Sequence, residues 1–164
     1  MVLICYDGSE DAKAAIAQGS RLFNSDPALV LTIWEPFGEL IARTSAGFGA
    51  VGVTDYEPID QASLESARET AEQGAELARE AGLNASAATR ARDGTIARTI
   101  LEEADRIDAG AIVLGSRGLT GVGSLVGSVS HAVIQTADRA VLVVPSPAVA
   151  GRRADKRREH EDRV

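Results

Sequence analysis

The chain contains one cysteine, one methionine, one tryptophan and two histidines in 164 residues. A single thiol, Cys5, excludes an internal disulfide and fits a reducing compartment. One cysteine with His131 and His160 excludes a His/Cys cluster at metal-ligand spacing, so no protein side chains are expected to form a metal site. Aromatic residues make up only 4% of the chain, so its core must be built from Val, Ile, Leu and Ala. No apolar run approaches the length of a membrane span. The opening Met1 to Asp7 lacks the basic region and length of a secretory signal. The expected location is therefore cytoplasmic, with no membrane partner. Lysine is absent from the glycine-rich stretch between 115 and 127, which rules out a Gly-x-x-x-x-Gly-Lys-Ser/Thr phosphate loop. Gly121 and Gly123 form Gly-x-Gly, but no third glycine follows three residues later, so a dinucleotide fingerprint is also missing.

What is present is an acidic, aliphatic chain. The net charge is −7, and hydrophobic residues account for 45%. Residues 150–164 hold six basic and four acidic side chains, leaving eleven basic and twenty acidic ones elsewhere. An acidic body argues against nucleic acid as a partner. The charged tail, 150–164, has almost nothing to bury and is expected to be a disordered extension of a domain spanning 1–149.

Along that domain apolar runs alternate with helical periodicity. Val2 to Tyr6 reads as a buried strand closed by Asp7-Gly8-Ser9, with Ser9 as N-cap of a helix. Ala12, Ala15, Ile16, Gly19, Leu22 and Phe23 form that helix's apolar face. A second strand runs from Ala28 to Trp34 and stops at Glu35-Pro36. Residues 36–58 show no clean period and read as a long connection. Asp60 to Leu83 is the longest helix, with a stripe of Leu64, Ala67, Ala71, Ala75 and Ala78 and with Gly82 at C′. Ala85 to Ala91 is a weak, partly exposed strand. Asp93-Gly94-Thr95 opens a helix with Ile96, Ile100, Leu101 and Ala104 inward, and Glu102, Glu103 and Asp105 read as its solvated face. Ala111 to Leu114 is a fourth strand, Ser124 to Ala137 a helix that contains His131 as a packing residue, and Ala140 to Val144 a fifth strand closed by Pro145. Five such alternations predict an α/β fold: a single domain with a mainly parallel five-stranded sheet and helices on both faces. Ligands of such sheets bind beyond the carboxyl ends of the strands, where strand order reverses. Asp7 and Gly115 both lie at strand ends and converge if strands one and four are neighbours.

The most informative stretch is residues 110–131, where a strand runs into a Gly/Ser loop and then a helix. Glycines allow close backbone approach, and helix-start N–H groups favour anions. Gly115-Ser116-Arg117-Gly118, eight residues, then Gly127-Ser128 resembles the ATP-binding signature of the universal stress protein family. Asp7-Gly8-Ser9, Gly127-Ser128-Val129-Ser130 and Val141-Leu142-Val143-Val144-Pro145 extend the likeness over roughly residues 1–146. The resemblance implies a Rossmann-like sandwich of the adenine nucleotide α-hydrolase type. It implies ATP, or ADP or AMP, as ligand, with Mg²⁺ or Mn²⁺ held through the phosphates. Carried over by position, Asp7 would sit by the adenine or ribose, and the Ile33 backbone would meet the adenine edge. Gly115 and Gly118 would line the ribose and α-phosphate. Arg117 would pair with a phosphate, and Gly127, Ser128, Val129 and Ser130 would hold the outer phosphates. The family has nine residues where this chain has eight between Gly118 and Gly127. Either Gly121 and Gly123 absorb the deletion in the loop, or the helix absorbs it and Ser128 rotates by about 100°.

The function this implies is a stress-response regulator whose nucleotide controls conformation or contacts with a protein partner, with no catalytic residue and at most slow hydrolysis. A homodimer through the apolar last strand is expected. Two other classes share the fold. One is a dimeric interaction protein without nucleotide. The other is a nucleotidyl transferase or ATP pyrophosphatase, whose paired-glycine loop and His pair this chain lacks.

Overall fold

The aliphatic runs pack as parallel strands. The computed structural model describes residues 1–23, 26–44, 56–116 and 128–161. Strands β1 (Val2–Cys5), β2 (Pro27–Trp34), β3 (Asn84–Ala91), β4 (Ala111–Gly115) and β5 (Ala140–Val144) form one sheet in the order β3-β2-β1-β4-β5. Every pairing is parallel. Between them run α1 (Glu10–Leu22), α2 (Phe37–Thr44), α3 (Glu57–Glu80), α4 (Ile96–Arg106) and α5 (Ser128–Thr136), and α6 (Pro147–Glu161) follows β5.

Side chains alternate across the sheet, so each strand feeds two cores. Val2, Ile4, Tyr6, Val30 and Val113 face α1 and α3. Leu3, Leu31, Ile112 and Leu114 face α4 and α5. The buried stripe of α3 is Ala67, Ala71, Gly74, Ala75 and Ala78, while Leu64 is only half-buried. Gly74 is the tightest point. A Cβ there would lie 2.6 Å from Tyr6 Cδ1 and 2.9 Å from Val30 Cγ1, so the helix rests on the sheet through bare backbone. The helix ends as its sequence predicts. Gly82 takes φ +95°, and the Leu83 N–H bonds to the Ala78 carbonyl at 3.0 Å, the longer of the two bonds of a Schellman motif.

Several local expectations need correction. Leu22 is 66% exposed, because α1 ends there and Phe23 packs against the core instead. Within 36–58, Phe37–Thr44 forms α2, and residues 45–55 lie outside the described residues. The cause is tertiary: the Phe37 N–H bonds to Asp60 Oδ1 on α3 at 2.6 Å, and the Phe37 ring meets the Tyr56 ring at a tilt of 54°, with centroids 5.3 Å apart. Glu103 is not solvated. It is buried, and it accepts hydrogen bonds from Arg90 Nε (2.6 Å) and from Arg106 Nε (2.8 Å) and Nη2 (2.5 Å). This ties edge strand β3 to α4. Asp105 pairs with Arg139, whose guanidinium also reaches the Ala104 and Ala109 carbonyls at the end of α4. His131, expected as a packing residue, is exposed. The charged tail is helical to Glu161. It opens on Pro147, suited to a helix start, and consists mostly of strong helix formers. Residues 162–164 lie outside the described residues.

Candidate functional site

Strand order reverses between β1 and β4, which pair through Val2↔Ala111, Leu3↔Ile112 and Ile4↔Val113. A crevice opens where the chains leave the two strands in opposite directions. The expected convergence of Asp7 and Gly115 at neighbouring strand ends is observed.

On the β1 side the chain turns through Asp7-Gly8-Ser9. Asp7 Oδ1 accepts the Ser9 N–H at 3.0 Å, an Asx turn. Gly8 has φ +80°, a conformation that other residues rarely adopt. Ser9 caps α1, accepting the Ala12 N–H at 3.2 Å, as read from the sequence. Cys5 is the last residue of β1, two positions before Asp7. Burial, then the charge of Asp7, pushes its thiol up to about 12, so at neutral pH it is an unreactive thiol.

On the β2 side the ladder with β1 ends early. The Tyr6 N–H bonds to the Leu31 carbonyl at 2.9 Å. The next rung would join the Ile33 N–H to the Tyr6 carbonyl. Instead the buried Thr32 hydroxyl donates to that carbonyl at 2.8 Å. Trp34 turns its carbonyl the other way, to the Arg92 N–H. By strand alternation the N–H and C=O of Ile33 point toward the β1 side, where β1 has turned away. A donor and an acceptor thus stand side by side on a backbone edge at the mouth of the crevice.

On the β4 side the packing is close. A Cβ on Gly115 would lie 2.7 Å from the Asp11 carbonyl carbon and 2.8 Å from the Ala12 nitrogen. The glycine lets the first turn of α1 seat against the strand end. Bulky residues at 115 would therefore disturb packing before they reported on a ligand. Ser116 follows, fully buried. Its N–H bonds to the Val144 carbonyl at 2.7 Å, its hydroxyl donates to Asp11 Oδ2 at 2.6 Å, and its carbonyl accepts from Ser130 Oγ at 3.3 Å. Ser130 is 2% exposed. Val129 packs partly buried against the α4–α5 core. Ser128 begins α5. Arg117, Gly118 and Gly127, together with the eight-residue spacing, lie outside the described residues. Among the described residues no group of three or more His, Cys, Asp or Glu could hold a metal ion.

Asp11 and Thr32 were not singled out in the sequence, and Ser116 entered it only as a member of the Gly115-Ser116-Arg117-Gly118 run, with no role of its own. Asp11 and Ser116 stand 105 positions apart, and only the adjacency of β1 and β4 brings them together. For Asp11 and Ser116 the signal was positional, since both follow the ends of β1 and β4; Thr32 lies inside β2 and carried none.

The model of the universal stress protein family matches residues 1–145. Universal stress protein YxiE of Bacillus subtilis is 33% identical over 147 residues, covering 87% of this chain and 97% of that protein. The universal stress protein of Archaeoglobus fulgidus in complex with dAMP superposes with a TM-score of 0.55 at 22% identity, covering 87% of this chain and 95% of that one. A family protein from Arabidopsis thaliana with AMP bound gives 0.59 at 16% identity, covering 90% and 92%. At these identities the two structures speak to the fold. No helix among the described residues is long and apolar enough to cross a membrane.

Proposed function

Since the chain belongs to the universal stress protein family, we propose that it binds an adenine nucleotide in the β1–β4 crevice and uses it as a regulatory ligand. The observation that carries this reading is the Ile33 edge. A neighbouring N–H and C=O match the acceptor N1 and donor N6 of adenine, and Thr32 has taken the Tyr6 carbonyl that would otherwise occupy the N–H. Asp7 stands across the crevice at the end of β1. The phosphates extend toward the loop after Gly115, with Arg117, Gly118, Gly127, Ser128 and Ser130 and the Val129 backbone around them. The donor set suits a polyanion: glycine backbone, hydroxyls and the N-terminus of α5. A Mg²⁺ or Mn²⁺ ion would be carried by the phosphates. The related proteins crystallised with dAMP and AMP support the ligand class.

The carboxylates at the crevice are engaged, Asp7 by the Ser9 N–H and Asp11 by Ser116. Neither is placed as a general base, so hydrolysis is slow and the nucleotide acts by its presence. The reader of that state is a protein partner, in keeping with a stress-response role in the cytoplasm. Self-association is the second half of the proposal. Val144 directs its carbonyl to β4 through Ser116, so the N–H and C=O groups of Val141 and Val143 point outward along an apolar edge strand. That edge fits a second copy of β5. Mass spectrometry of nucleotide carried through native purification, followed by calorimetry, tests the ligand. Stoichiometric adenine nucleotide is expected. No binding of ATP, ADP or AMP at millimolar concentration would overturn the reading.

A further inference from the structure

We propose that Thr32 is a positioning residue that makes the crevice select adenine over hypoxanthine, by keeping the Ile33 edge open; this rests on the nucleotide reading above. Thr32 is the one hydroxyl in β2, between the aliphatic run Ala28 to Leu31 and Ile33. It is 7% exposed. A buried hydroxyl is costly unless it is bonded, and this one donates to the Tyr6 carbonyl at 2.8 Å. Tyr6 is itself 2% exposed, so its carbonyl needs a donor as much as the hydroxyl needs an acceptor.

The backbone could have supplied that donor. The β1–β2 register runs from Val2↔Ala28 to Cys5↔Leu31, and the Tyr6 N–H continues it onto the Leu31 carbonyl. The Ile33 N–H is next in line for the Tyr6 carbonyl, and the Thr32 hydroxyl stands in its place. Ile33 is half-buried, so its N–H and C=O are reachable from the crevice. A donor beside an acceptor matches N1 and N6 of adenine. Hypoxanthine presents N1–H and O6, so donor meets donor and acceptor meets acceptor. Without the Thr32 hydroxyl, the Tyr6 carbonyl is left buried and unpaired, and the Ile33 N–H is the donor that the ladder brings to it. The added rung leaves the edge only its C=O. That group accepts from adenine N6–H or from hypoxanthine N1–H alike, so the preference between bases is lost.

The test compares ATP with inosine triphosphate by calorimetry on the full chain. The two share ribose and phosphates, so only the base enters their ratio. The parent should prefer ATP by at least about tenfold. Thr32→Val, an isostere without the hydroxyl, is expected to weaken ATP about tenfold and bring the two ligands within about threefold of each other. Thr32→Ser retains a hydroxyl and should retain the preference. Amide hydrogen exchange reads the edge without ligand: the Ile33 N–H of the free parent should exchange at least about tenfold faster than that of Leu31, and the gap should close in Thr32→Val. If Thr32→Val does not fold, the parent still decides, because its Ile33 N–H must exchange fast when free and slowly when saturated with ATP. An Ile33 N–H as protected as that of Leu31 in the free parent, equal binding of both triphosphates by the parent, or an unchanged preference in folded Thr32→Val overturns the proposal. Parent protein that binds neither triphosphate overturns the nucleotide reading itself, and this role with it, so the two failures are told apart.

Discussion

Adding one methyl group to α3 at Gly74 should destabilise the protein, although glycine is a poor helix residue. The new Cβ would sit 2.6 and 2.8 Å from Tyr6 Cδ1 and Cγ and 2.9 Å from Val30 Cγ1. Carbon atoms prefer about 3.5–4.0 Å, so α3 must lift by about 1 Å or the ring must turn. The ring has little freedom. It is 2% exposed, and its hydroxyl donates to Gln73 Oε1 at 3.3 Å, one residue away. Overpacking of this kind costs about 1–3 kcal/mol, and the crowding of three atoms places Gly74→Ala at the upper end. Helix propensity returns about 1 kcal/mol. The net loss is then about 1–2 kcal/mol, or roughly 3–6 °C in Tm for a chain of this size. Gly19→Ala in α1 is the internal control. Its Cβ would meet only Val113 methyls at 3.4 and 3.8 Å, close to ordinary contact, so propensity should dominate and stability should rise by about 0.5–1 kcal/mol. Urea unfolding followed by circular dichroism reads both. A Gly74→Ala variant as stable as the parent, or two variants that shift in the same direction by the same amount, would refute the packing argument.

The Glu103 network predicts a pH-dependent loss. Burial pushes the Glu103 carboxyl up, but hydrogen bonds and charge from Arg106 and Arg90 more than reverse this and hold it below the ordinary carboxylate range. A lowered folded value stabilises above the unfolded value and fades as pH falls through the folded one. Glu103→Gln should therefore cost about 1–3 kcal/mol at pH 7, and urea midpoints of variant and parent should converge below about pH 4.3; a gap independent of pH would contradict this. For the β5 edge, Val143→Pro removes an outward N–H while sparing the ladder to β4. Sedimentation velocity should show the parent associating and the variant monomeric, with a folded circular dichroism spectrum in both. Identical sedimentation would exclude this edge as the contact.

Legibility followed the range of the interactions. The strand–turn at Asp7-Gly8-Ser9, the alanine stripe of α3 and the Ser9 cap of α1 (accepting the Ala12 N–H at 3.2 Å) are local, and periodicity or a single cap residue announced them. Strand order was not legible: the convergence of Asp7 and Gly115 was expected only on the condition that β1 and β4 are neighbours, and the pairing of the two strands meets that condition. The missed features depend on partners far along the chain. Glu103 looks like one acid in an acidic run until Arg90 closes over it from β3. Phe37 looks like part of a loop until Asp60 and Tyr56 hold it. Gly74 looks like a helix weakness until Tyr6 fills the space beneath. Asp11 reads as a dipole-favouring acid of the first turn, and nothing local indicates that its carboxylate reaches a serine after β4.

The two margins of the sheet are chemically unlike. β3 presents Asn84, Ser86, Thr89 and Arg90, with the arginine drawn down onto Glu103, whereas β5 is aliphatic throughout. A sheet with one receptive border and one unreceptive border can be extended only once. Self-recognition along the aliphatic border uses the same strand from both molecules, so it closes about a two-fold axis. Union there would consume the growth point, and the assembly would stop at a pair rather than run on into a fibre.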